Sequence, residues 1–96
     1  MVRNITLSQF LTLKEKKVFT LFIFFLGDEY SYLGNESTWL HTLHVPVYIV
    51  RMSEEEFHTM DFAVHPKVIG TKSGKEVFEL NGFPNIRYLQ EKISKI

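Results

Sequence analysis

Ninety-six residues with 45% hydrophobic and 15% aromatic content specify one packed domain. The chain is long enough for a single core without a disulfide or metal, and too apolar to be disordered. Eleven basic residues balance eleven acidic ones, so charge exerts no global pull, and neither nucleic acid nor a membrane is expected as a partner. The absence of cysteine excludes a disulfide framework, a thiolate zinc site, an iron–sulfur cluster and a cysteine nucleophile together.

The opening "MVRNITLSQF" lacks the apolar core and small-residue cleavage site of a signal peptide, so a cytoplasmic location is expected. Ile5 and Leu7 predict a short edge strand. Residues 8–17 predict a helix N-capped by Ser8, with Lys16 and Lys17 at the negative end of its dipole. "VFTLFIFFL" (18–26) is well short of the roughly 20 residues that a spanning helix needs. It is aromatic and β-branched, apolar on both faces, and stops at Gly27-Asp28, as a central strand covered on both sides should.

Residues 27–43 begin as a polar loop and predict a helix from Glu36, with Trp39, Leu40 and Leu43 on one face. "VPVYIVRM" (45–52) reads as a strand that confines Pro46 to its first residues. In 53–62, Ser53 caps a short helix whose Glu54, Glu55 and Glu56 suit the positive dipole end, with Phe57 and Met60 one turn apart. "KVIGTK" and "EVFEL" form a hairpin turning at Ser73-Gly74 and broken by Asn81-Gly82, with imperfect alternation in its second strand. A last helix places Ile86, Leu89 and Ile93 on one stripe, with Lys92 and Lys95 in its final turn.

The order β-α-β-α-β-α-β-β-α predicts an α/β fold of one domain, residues 1–96. Parallel crossovers closed by an antiparallel hairpin require a mixed central sheet flanked by helices.

Three details of the second half carry a resemblance to the thioredoxin-like fold. A proline, Pro66, opens the strand before the hairpin; a turn, Lys72-Ser73-Gly74, begins six residues later; and a glycine, Gly82, precedes the last helix. The resemblance spans most of the chain and is specific over Val64 to Ile93. It implies a cis bond at Pro66, which is uncommon among X–Pro bonds. It also places the family's Cys-x-x-Cys on or near Glu29-Tyr30-Ser31-Tyr32, and the family's buried acid near Ile23. Thiol–disulfide exchange needs an attacking thiolate and a resolving thiol, and this sequence has neither. The resemblance therefore implies a redox-inactive member, not an enzyme of thiol exchange.

What remains is a recognition surface. In the family, the backbone before the proline pairs with an extended substrate peptide, which here implicates His65. With Glu29, Tyr30, Ser31, Tyr32, Phe62 and Pro66 it would form an apolar patch with polar handles, suited to a protein or peptide partner. Phe62 and Trp39 would equally serve by closing the core. The alternative is an enzyme or carrier that binds glutathione or another small thiol through the hydroxyl of Tyr30, Ser31 or Tyr32, as glutathione transferases do on a related domain. A homodimer through an exposed edge strand or the aromatic patch fits either.

His41 and His44 stand three apart, without a third ligand at metal-binding spacing, so no metal is expected. His44 suits a helix C-terminus and His58 a solvated face. Lys14, Lys16 and Lys17 read as a solvated helix end. The sequence has no phosphate loop, zincin motif or nucleophile elbow, and no cofactor is expected.

Overall fold

The structure, a computed structural model, describes residues 2–26, 43–62, 66–82 and 86–95. The elements in chain order are β1 (Val2–Ile5), α1 (Leu7–Leu13), β2 (Thr20–Leu26), β3 (Val47–Met52), α2 (Glu54–Met60), β4 (Lys67–Lys72), β5 (Lys75–Asn81) and α3 (Ile86–Ser94). The helix expected between Glu36 and Leu43 and the loop before it lie outside the described residues, apart from Leu43 itself.

The five strands form one sheet in the order β1-β3-β2-β4-β5. The β1–β3 and β2–β3 pairs are parallel, while β2–β4 and β4–β5 are antiparallel. This is the mixed sheet that the sequence pattern requires, with β2 at its centre; the strand expected over 18–26 begins only at Thr20, and Val18 lies outside it, 58% exposed. Alternation along β2 divides the core in two. Leu21, Ile23 and Phe25 join Val47, Ile49 and Val68 on one face, covered by Leu43 and by Leu89 and Ile93 of α3. Phe22 and Phe24 join Tyr48, Val50, Met52 and Ile69 on the other, where Phe10 of α1 and Phe57 and Met60 of α2 pack. Phe10 meets the edges of Phe22 and Phe24 at centroid distances of 4.8 and 4.9 Å. Each fully buried phenylalanine contributes about 1.5–3 kcal/mol by burial alone.

Two sequence expectations are corrected at the first helix. Thr6, not Ser8, is the N-cap: its hydroxyl accepts the Gln9 N–H, and its own N–H donates to Gln9 Oε1. Leu7 is therefore the first helical residue and not part of the edge strand. The helix also ends at Leu13, short of Lys16 and Lys17. The chain leaves it because the hairpin takes its next carbonyls: Ser73 N–H donates to Lys16 O at 2.8 Å, and Gly74 N–H to Lys14 O at 3.0 Å.

Elsewhere the local signals and the structure agree. Ser53 and Glu56 form a reciprocal capping box at α2, and Pro46 precedes β3. Ser73 and Gly74 take φ values of 55° and 82°, the two left-handed residues of a two-residue hairpin turn. The poor alternation of β5 is a register shift: Gly70 faces Phe78 but Thr71 faces Glu76, leaving Val77 unmatched and 44% exposed.

Candidate functional site

Parallel strands end together, so β1, β2 and β3 deliver Ile5, Leu26 and Met52 to one end of the sheet. The antiparallel hairpin brings the start of β4 and the finish of β5 to that same end. In mixed α/β sheets this is where ligands are received. Pro66 is fixed there by backbone: its carbonyl accepts the Gly82 N–H at 2.8 Å, and Lys67 pairs with Asn81 in the next register position. Gly82, at φ 82°, takes the left-handed conformation in which glycine is the residue of least strain.

Phe62 and Pro66 are the two described members of the expected surface. Glu29, Tyr30, Ser31, Tyr32 and His65 lie outside the described residues, as do Trp39, His41 and the His65–Pro66 bond expected to be cis. Phe62 is half-buried and faces the core as much as solvent. Its ring meets Phe24 edge-on at 5.1 Å and Phe57 at 6.4 Å, and it packs on the second core cluster.

Lys67 is a member of this end that sequence reasoning missed. Its Nζ lies 5.0 Å from the centre of the Phe62 ring and 3.3 Å from Glu79 Oε2, with the lysine side chain only 12% exposed. The ring face and the carboxylate together hold the ammonium group beside Pro66. The half-exposed Glu79 is screened by solvent, so this pair positions the cation more than it stabilises the fold. The available signal was a lysine directly after Pro66, ahead of the apolar pair Val68-Ile69. The result is a fixed positive charge against an aromatic plate, an arrangement that can orient an acceptor group on a bound chain.

The remaining expectations resolve individually. Ile23, where the resemblance puts a buried acid, is 1% exposed and wholly within the first core cluster. Glu56 is engaged in the cap of α2, while Glu54 and Glu55 are exposed. His58 is exposed, as expected, and so is His44, which adopts φ 59°. No group of three His, Cys, Asp or Glu residues that could hold a metal ion occurs among the described residues. A shallow depression of about 270 Å³, lined by Asn4, Ile5, Thr6, Gln9 and Arg51, opens at the end of β1. Among the described residues no helix is long and apolar enough to cross a membrane.

No known protein family matches the sequence, and no curated protein matches it. Solved structures do match. A designed protein superposes with a TM-score of 0.76 at 22% identity, over 97% of this chain and 94% of its own. Thioredoxin from Malassezia sympodialis gives 0.72 at 16%, over 98% and 91%. Thioredoxin from Trypanosoma brucei brucei gives 0.72 at 18%, over 99% and 89%. The chain has the thioredoxin-like fold, and it has it without cysteine.

Proposed function

We propose that this chain is a redox-inactive thioredoxin-fold interaction module, an adaptor, assembly factor or inhibitor. It binds a protein or peptide partner at the Pro66 end of the sheet, through Phe62, His65 and Pro66 and the loop residues Glu29, Tyr30, Ser31 and Tyr32. One observation carries the reading: a sequence with no sulfur nucleophile folds with Pro66 tied to Gly82 through backbone and with the next residue, Lys67, set against the Phe62 ring. The reading seats an extended chain at this end of the sheet, and thiol–disulfide exchange has no residue to perform it.

Affinity capture from the source cell with the wild type and with a Tyr30→Ala/Tyr32→Ala variant tests the surface. The variant is expected to lose the partner; equal retention by both places the site elsewhere. Pure protein is expected to show no reduction of insulin disulfides, and measurable turnover would overturn the redox-inactive assignment.

A further inference from the structure

A second surface lies at the opposite end of the sheet, where β4 turns into β5. At roughly 3.4 Å per strand residue, the six residues of β4 put it about 20 Å from Pro66. Two backbone hydrogen bonds, Ser73 N–H to Lys16 O and Gly74 N–H to Lys14 O, hold the segment after α1 against the hairpin turn. Residues far apart in sequence are thereby gathered: Lys14, Lys16 and Lys17 from one segment, and Lys72 and Lys75, which face each other across the turn.

Lys16, Lys17, Lys72 and Lys75 are exposed, and among the described residues none of them forms an ion pair. Lys14 is half-buried, with its Nζ 5.9 Å from the centre of the Phe10 ring. Glu15 and Glu76 are the acids in these same segments, so five lysines against two glutamates leave three positive charges. The rest of the neutral chain carries the compensating three negative charges. A balanced composition thus conceals a polarised molecule.

We propose that this lysine end is a docking surface for the anionic headgroups of a membrane leaflet, a peripheral contact and not an insertion. Its chemistry favours that partner over a nucleic acid recognised through its bases. The cluster contains no arginine and no exposed aromatic ring, whereas base readout and single-strand binding draw on arginine forks and stacking rings. Lysine is depleted in the cores of protein interfaces. Lysines acting as point charges, with the aliphatic Val18 beside Lys17 and 58% exposed, fit a headgroup layer with a shallow apolar edge. This surface is independent of the peptide-binding end.

The test is co-sedimentation of the full chain with vesicles of phosphatidylcholine alone and of phosphatidylcholine with 30% phosphatidylserine. Parallel samples contain a 20-base-pair DNA duplex, and folding of every variant is checked by circular dichroism. Binding to the anionic vesicles alone is expected, and it should weaken steeply with salt. At about five-fold per lysine neutralised, Lys16→Gln/Lys17→Gln and Lys72→Gln/Lys75→Gln should each lower the partition coefficient about 25-fold. Val18→Ser should lower it a few-fold, and Tyr30→Ala/Tyr32→Ala should leave it unchanged. Failure to prefer anionic vesicles, an unchanged coefficient in either lysine pair, or binding to the duplex in place of vesicles overturns the proposal.

Discussion

Gly70 offers a quantitative check on how the hairpin is seated. It lies in β4 between Leu21 and Phe78, and the Phe19 and Phe78 rings stack across it with centroids 5.9 Å apart and planes 20° from parallel. A Cβ placed there would stand 2.7 Å from atoms of both rings and 2.9 Å from a second Phe19 carbon, closer than carbon atoms approach without displacement. Gly70→Ala should therefore force both rings aside, an overpacking cost of about 1–3 kcal/mol. The reduced entropy of the unfolded chain offsets about 0.4–1 kcal/mol of this. The net expectation is a loss of about 1–2 kcal/mol, or about 5–15 °C in Tm for a domain of this size. Urea denaturation followed by circular dichroism, with the slope unchanged, measures it. In a Phe78→Ala background the Phe19 contacts remain but that ring can turn into the vacated space, so the same change should cost less, giving a coupling of about 1 kcal/mol between the two positions. If Gly70→Ala raises the midpoint, or if the two changes add to within about 0.5 kcal/mol, the two-ring clamp is not what requires glycine there.

Thr71 buries a hydroxyl that has no hydrogen-bond partner among the described residues, so Thr71→Val should stabilise the fold by about 1 kcal/mol; a loss of stability by the same denaturation assay would show that the hydroxyl is paired. The Thr6 and Ser53 caps each make reciprocal bonds with the residue three positions on. Thr6→Ala and Ser53→Ala should each cost about 1 kcal/mol and add together, while Ser8→Ala, inside the first turn, should leave the midpoint nearly unmoved. Glutathione at millimolar concentration should leave the amide resonances of residues 28–33 and 64–67 in place; a saturable shift there would replace the protein-binding reading with the small-thiol alternative.

The parts of the fold legible in the sequence were those fixed by neighbours along the chain. The run from Val18 to Leu26 declared a strand buried on both faces, which the structure starts at Thr20; Ser53 followed by three glutamates declared a helix start, and Ser73-Gly74 declared the hairpin. The first helix shows how narrow the margin is. Both Thr6 and Ser8 are good caps, but Thr6 has Gln9 three residues on while Ser8 has Leu11, and only the first pairing closes a capping box. Its far end was not legible at all, since α1 stops where the hairpin claims the Lys14 and Lys16 carbonyls. The same long-range bonds set three lysines that read as a solvated helix end against the hairpin turn that carries Lys72 and Lys75. Lys67 was hidden for a related reason: nothing local relates it to Phe62, just beyond α2, or to Glu79 of the neighbouring strand β5, both of which the tertiary fold brings to it.

Ile23 explains why scaffold and chemistry separate cleanly in this chain. It pairs with Ile49 on one side and Val68 on the other and is enclosed by apolar neighbours on its own face. A carboxylate at that depth costs several kcal/mol unless charge or hydrogen bonds compensate it. The aliphatic side chain of Ile23 instead adds to the buried apolar core. The strand registers do not change, because alternation and backbone pairing set them. The Pro66 end is likewise held by a backbone hydrogen bond to Gly82 and by the Phe62–Lys67–Glu79 contacts, none of which involves sulfur. The end of the sheet at Pro66 therefore stands on backbone pairing and side-chain contacts that need no thiol.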